Sequence, residues 1–278
     1  MPKWLWKLLV LRSRVLASFQ IAVRAPFVYE NWLYFLLCRF TRDNGLLRLR
    51  KGLRFWIRPR SSDRASITEI QMFRPYSQPA PGSVVLDIGA NIGAFALQAS
   101  QTASKVYAVE PIQSNYEMLC RNVAANSCKT VVPIRVAVAA QTGSSEMSVN
   151  GVTSSLKWQE SGTRSETVPT VTLAALLQSF GPAAFDYVKM DCEGAEWEIL
   201  LQTPDEVFSS IRRIELEYHC FPGCPPPSVL ADRLRAIGFG SVTMSGNSSA
   251  GIIAAKEFCG ATDRSQLHSG HIAPEQVP

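Results

Sequence analysis

Apolar positions follow two rhythms along this chain. From residue 84 onward, short continuous apolar runs alternate with stretches of helical spacing, the pattern of strands and helices in turn. Val84–Leu86, Val106–Val109, Val131–Val138, Phe185–Met190 and Arg213–Tyr218 read as five strands. Between them, helices are predicted over Ala94–Thr102, Ser114–Asn126 (with Tyr116, Leu119 and Val123 on one face), Thr172–Phe180, Ala195–Gln202 (closed by Pro204) and Ser228–Ile237. Ser241–Met244 and Gly251–Lys256 read as a closing hairpin, and residues 139–170 are polar with weak strands. Strand–helix alternation of this kind implies a parallel sheet covered on both faces, that is, an α/β fold.

The first 80 residues differ. Leu46–Arg50 and Leu53–Arg58 alternate apolar and basic residues around Lys51-Gly52, a hairpin signal. Asp63 or a neighbouring serine can cap a helix ending near Tyr76, and SQPAPG (77–82) is a linker. The expected organisation is therefore a helical and hairpin extension over 1–80, a main domain over 81–258 and a polar tail over 259–278.

Charge sharpens that division. The net charge is +5, but residues 1–60 carry 13 Lys and Arg against 2 Asp and Glu, and the remainder is acidic. Residues 1–40 are rich in Trp, Leu and Phe, yet Lys3, Lys7, Arg12, Arg14, Arg24, Glu30 and Arg39 interrupt every stretch long enough to span a bilayer. The same charges break up a signal-peptide core. What remains is one or two basic helices with apolar faces, to be packed on the protein's own core or laid on an anionic membrane surface. No groove-reading motif accompanies the charge, so nucleic acid is not the expected partner. Seven cysteines without regular spacing suggest free thiols in a reducing cytoplasm. Cys220 and Cys224 lack a second ligand pair, and no metal site is expected there.

Candidate chemistry collects at the ends of the predicted strands, where ligands bind in such sheets. VVLDIGANIG (84–93) places Asp87, Gly89, Asn91 and Gly93 in the turn after the first strand. KVYAVEP ends the second strand on Glu110, an acid suited to two ribose hydroxyls. The turn lacks the G-x-G-x-x-G of dinucleotide sites. An acid at Asp87 would repel a phosphate and suit an ammonium group, which favours S-adenosylmethionine. The fourth strand ends in KMDCEGAE and the fifth in ELEYH, which brings Asp191, Glu193, Glu217 and His219 to one edge. Glu215, Glu217 and His219 share a face by strand alternation. Glu196 and Glu198 equally suit the first turn of a helix.

In order, DIGANIG, VEP with NYEMLCRNVAAN, and KMDCEGAE resemble the FkbM family of S-adenosylmethionine-dependent methyltransferases, over about residues 31–256. The resemblance implies a class I (Rossmann-like) methyltransferase fold: a doubly wound, mostly parallel seven-stranded sheet with a C-terminal antiparallel hairpin, here preceded by the helical and hairpin extension. It assigns Asp87, Gly89, Ala90, Asn91 and Gly93 to the cofactor turn, Glu110 to the ribose, Pro111 and Asn115 to the same pocket, and Ala137 to the adenine. NGVTSSL (150–156) resembles a family loop beside the cofactor. Family members methylate hydroxyl oxygens of sugars, polyketides and related metabolites, so the expected partner is a small-molecule or glycan acceptor. Asp191 is then the residue expected to face the methyl group, with Glu217 or His219 as base or positioning group and no metal required. Methylation of nitrogen, or a cofactor-binding protein localised by its basic N-terminus, are the alternatives. The tetrapeptide N/D-P-P-Y/F of many nucleic-acid N-methyltransferases is absent.

Overall fold

Seven strands form one sheet in the order β12-β13-β11-β10-β3-β4-β5 in the computed structural model, which describes residues 18–149, 154–155, 164–181, 184–221 and 223–258. β5 (Val131–Ile134), β4 (Lys105–Val109), β3 (Val84–Ile88), β10 (Tyr187–Met190) and β11 (Arg213–His219) run parallel. β12 (Phe239–Gly246) and β13 (Ala250–Phe258) close the far edge antiparallel, as the terminal hairpin predicts. Helices α4 (Ala94–Ala99) and α5 (Gln113–Ala125) follow β3 and β4, and α6 (Leu173–Ser179) precedes β10. α7 (Glu196–Gln202) and α8 (Asp205–Phe208) lie between β10 and β11, and α9 (Ser228–Ala236) leads into β12.

Alternation along the strands sorts the core into two layers. Val85 and Tyr187 pack with Phe95, Leu119 and the extension, while Leu86, Ile88, Val188 and Met190 pack with α6, α7 and α9. The predicted third strand divides in two. β5 stops at Ile134, and Ala137–Val138 (β6) joins a second sheet with β9 (Arg164–Val171), β7 (Gly143–Val149) and β8 (Ser154–Ser155). Pro133 within β5 suits an edge strand, and β5 is the edge of the large sheet. The weak strands of 139–170 are thus a small sheet. Most of the NGVTSSL loop, the first 17 residues and the tail from 259 lie outside the described residues.

The extension folds onto the sheet through its backbone. β1 (Gly45–Arg48) and β2 (Arg54–Ile57) pair antiparallel, in the register Gly45↔Ile57 to Arg48↔Arg54. A lone hairpin is marginal in water, but here both edges are occupied. Along β1, Asn31 accepts from the Arg48 N–H at 2.9 Å and donates to the Leu46 carbonyl at 2.8 Å. Along β2, Asn122 of α5 and Asn126 at its C-cap bond the main chain of Trp56 and Arg54 at 2.6–2.9 Å. These asparagines, poor helix formers, stand in for a neighbouring strand. Helix α1 (residues 18–28) and α2 (Trp32–Leu37) bury Ala25, Tyr29, Phe35 and Cys38 in the same core. After β2, α3 (Asp63–Thr68) continues into a π turn (Glu69–Phe73) that stops at Arg74 in the left-handed conformation, short of the predicted end at Tyr76.

Beyond the extension the linker is tied down. Tyr76 donates its hydroxyl to Glu217 at 3.0 Å, and Ser77 donates its N–H and hydroxyl to Glu215 at 2.9 and 2.6 Å. Glu215, predicted to share the site face with Glu217 and His219, is therefore a buried anchor; Tyr187 and Arg213 also hold it. The six described cysteines are free thiols.

At the centre of the sheet, Asp87 of β3 and Lys189 of β10 stand opposite one another in register. Both are buried, and the Lys189 ammonium lies 3.3 Å from the Asp87 carboxylate. The same ammonium donates to the Gly89 carbonyl at 2.9 Å and lies 3.4 Å from Asp191. Burial opposes its charge, but the Asp87 and Asp191 carboxylates outweigh burial and raise its pKa above the ordinary lysine value. Removing one partner of such a pair strands the other in a dry interior. Lys189→Met is expected to destabilise the protein by about 3–5 kcal/mol, read by urea denaturation. The double variant Lys189→Met/Asp87→Asn should recover part of that loss; no recovery would show that the pair is not what the centre of the sheet depends on.

Candidate functional site

Where β3, β4 and β10 end, three loops enclose a cavity of about 340 Å³, within the range of small-ligand sites. The sheet order reverses at β3, which pairs with β4 on one side and β10 on the other. Such a switch point opens a crevice beyond the strand ends. Gly89, Asn91, Glu110, Pro111, Asn115 and Ala137 line the cavity, as do Asp191 and Glu193; Glu217 and His219 do not.

The first loop is shaped by close approach. Gly89 is left-handed (φ 79), and a Cβ there would overlap the carbonyl oxygen of Asp191. Gly93 (φ 88) lies beneath Leu119, whose methyl would be 2.7 Å from an added Cβ. Neither Gly93 nor buried Ala90 lines the cavity, so their part is to bend the chain and seat α4 against α5. Asn91 is left-handed at φ 51, and its Oδ1 is buried without a hydrogen-bond partner.

Asp87 also lies outside the cavity lining. It is buried, and the Lys189 ammonium, which also holds the Gly89 carbonyl, ties it to the loop. No motif singles out Lys189. The signal was a lysine inside an apolar run, since a lysine is almost never fully buried unless paired.

Glu110 sits at the heart of the second loop. One carboxylate oxygen accepts the Asn91 N–H at 2.8 Å; the other accepts the Ile112 N–H at 3.0 Å and the Asn115 amide at 3.2 Å. Burial nevertheless pushes its pKa up to about 7 against those donors. Asn115 in turn accepts from Arg58 at 2.8 Å, and Arg58 is clamped by both carboxylate oxygens of buried Asp63. A polar chain thus runs from Asp63 through Arg58 and Asn115 to Glu110. Arg58, Ser61 and Ser62 of the extension line the cavity, and no sequence motif points to them.

The third loop and the end of β11 hold the acids. Glu193 adopts a left-handed conformation (φ 51) beside Gly194. Glu196 is fully buried and does more than complement a helix dipole. One oxygen accepts the Gly194 N–H at 2.8 Å; the other accepts the His219 main-chain N–H at 2.6 Å and faces the imidazole Nδ1 at 3.3 Å. His219 Nε2 then lies 3.6 Å from Glu193 and 3.7 Å from Glu217. Burial pulls the imidazole down, but the hydrogen bond and charge of Glu196, with Glu193 and Asp191, outweigh it and raise its pKa to about 9. Burial also lifts Glu193 and Glu217 to about 7 each, against the pull of His219. These neighbours favour the protonated imidazole at neutral pH. Asp191, Glu217 and His219 each offer an atom within 4.8 Å of the others, a set that can hold a divalent ion once His219 gives up its proton.

The methyltransferase FkbM domain matches residues 87–237, more than half of the chain. No curated protein matches it. Among solved structures, Trm5b from Pyrococcus abyssi shares 16% identity at a TM-score of 0.45, over 77% of this chain and 55% of that one. This chain thus spans about half of that protein's length. TYW2 of M. jannaschii, solved in complex with AdoMet, shares 16% identity at a TM-score of 0.44, over 77% and 86%. Precorrin-6y C5,15-methyltransferase from Geobacter metallireducens shares 13% at 0.40, over 69% and 86%. Scores this low say nothing of this chain's acceptor. The strand order and the domain match agree: the fold is that of a class I methyltransferase, and the chain belongs to the FkbM methyltransferase family.

Proposed function

We propose that the cavity binds S-adenosyl-L-methionine and that the enzyme methylates a hydroxyl oxygen of a small molecule or glycan. The observation that carries this reading is that Glu110 lines the same cavity as Asp191 and Glu193, with Glu217 and His219 beside those acids but outside the lining. Several features of the chain fit the cofactor. Val136, Ala137, Val138 and Met147 give an apolar wall for a base. Glu110 keeps acceptor capacity for ribose hydroxyls, and Asn91 lines the cavity beside it. When bound, the cofactor supplies an electrophilic methyl group on a sulfonium.

In the same cavity, Asp191 orients the acceptor hydroxyl. Positioning removes much of the barrier of such a transfer, and the hydroxyl proton must leave as the new C–O bond forms. Asp191 accepts the hydroxyl's hydrogen bond, and the proton passes to the Asp191–Glu217 pair, where Glu217 has a pKa matched to neutral pH. His219 stays protonated and balances the charge of the acids around it.

Two outcomes are expected. Ribose hydroxyls stabilise the ionised form of Glu110, so cofactor affinity is full above about 7 and falls as pH drops through that value, by up to about tenfold per unit. Glu110→Gln should weaken binding by about 1 kcal/mol or more and flatten the pH profile in isothermal titration. A wild-type affinity independent of pH between 5 and 8 would exclude Glu110 from the ribose. Second, Asp191→Asn should lower turnover by about 100-fold or more with cofactor affinity retained. At saturating cofactor, wild-type turnover should rise with pH through about 7, and Glu217→Gln should remove that rise. Labelled S-adenosylmethionine offered to hydroxyl-bearing glycans and metabolites, and to RNA, identifies the acceptor class. Label found only on RNA nitrogen would overturn the reading.

A further inference from the structure

Helices α1 and α2 are apolar on two sides. One side packs on the core through Ala25, Tyr29, Phe35 and Cys38. The other carries Phe19, Val23 and Phe27 on α1, and Leu33, Leu37 and Phe40 on α2 and the turn after it. At about 100° per residue, each set falls on the side opposite the buried one. Phe27 is 79% exposed and Phe40 69%. Of nine large apolar side chains exposed among the described residues, six lie in this one stretch. A soluble helix ordinarily turns a polar face outward, and a clustered apolar surface of this kind marks a contact.

Charge decides the occupant. Arg24, Arg39, Arg42, Arg48, Arg50, Lys51 and Arg54 are all exposed around these helices and the hairpin; Glu30 and Asp43 are the only acids in the first 60 residues. Arg39 stacks on Phe40 at 4.6 Å, joining a cation to the apolar face at its rim. Phe and Leu on one face rimmed by Arg is the composition of helices that lie in a bilayer interface. Among the described residues no helix is long and apolar enough to cross a membrane. We propose that this face docks on the surface of an anionic lipid bilayer, with the phenylalanines and leucines entering the acyl boundary and the arginines meeting the headgroups. The proposal is independent of which acceptor the enzyme methylates.

Full-length protein is sedimented with vesicles of phosphatidylcholine alone and of phosphatidylcholine with about 30% phosphatidylglycerol. Binding to the anionic vesicles alone, weakened by high salt, is expected. The variant Phe19→Ser/Phe27→Ser/Leu37→Ser changes only exposed positions, so its circular dichroism and cofactor affinity should match wild type. Its partition to anionic vesicles should fall by about tenfold or more. Should that variant fail to fold, Arg24→Glu/Arg42→Glu is expected to lose the preference for anionic over neutral vesicles. Wild type left in the supernatant with both vesicles would overturn the proposal, as would equal partition of wild type and variants. A concentration-dependent dimer that ignores vesicles and is lost in the serine variant would assign the face to a second copy of the chain instead.

Discussion

One buried ammonium organises the sheet's active edge. A parallel sheet gathers its functional groups at the carboxyl ends of its strands, and here the two central strands bring acids there, Asp87 on β3 and Asp191 after β10. Lys189 lies between them and also holds the Gly89 carbonyl. That carbonyl belongs to the glycine whose missing Cβ admits the main chain of Asp191. A single charge thus fixes the separation of the two loops between which a ligand must fit. It does so where water is excluded and electrostatic interactions are strong.

A second polar chain explains why the N-terminal extension is part of the enzyme. Arg58 lines the cavity, yet its position is set by Asp63 on one side and Asn115 on the other. Asn115 also orients Glu110. Behind this chain, Asn122 and Asn126 hold the hairpin edge by main-chain hydrogen bonds. Helix α5 therefore has two jobs: its first turn serves the cavity, and its C-terminal end holds the extension that lines the cavity. A substitution in the hairpin acts on the site through this path without touching a ligand.

The sequence made the central architecture legible because buried parallel strands leave continuous apolar runs, and VVL, VYAV and YVKM are such runs. The glycine turn and Glu110 were legible for a similar reason, since tight turns and strand-end acids are local features. What depends on partners far away in sequence was not. Nothing near Asp87 in the chain signals Lys189, 102 residues later, whose ammonium lies 3.3 Å from its carboxylate. The apolar run 131–138 gives no sign that its last residues leave one sheet for another. Glu215 and Glu217 alternate identically with His219, yet Ser77, Tyr187 and Arg213 turn the first into an anchor, and only the second faces the histidine. Glu196 looks like a helix-dipole acid because its real partners are a turn and the end of another strand.

Charge balance then decides which of these groups can do chemistry. Asp191, Glu193, Glu196 and Glu217 converge on His219, and four acids in a half-buried space cannot all ionise without compensation. The fold supplies it in two ways: His219 is held as a cation, and Glu193 and Glu217 are pushed toward neutral pH. A proton released beside Asp191 therefore enters a cluster already poised to take it, and the histidine contributes by keeping its own. A divalent ion on Asp191, Glu217 and His219 would supply the same compensation, but only by displacing that histidine proton. Proton and metal are thus competing solutions to one electrostatic problem. Glu196, buried against Nδ1, favours the protonated imidazole in the absence of an ion, and by orienting the ring it leaves Nε2 facing the acids in either case.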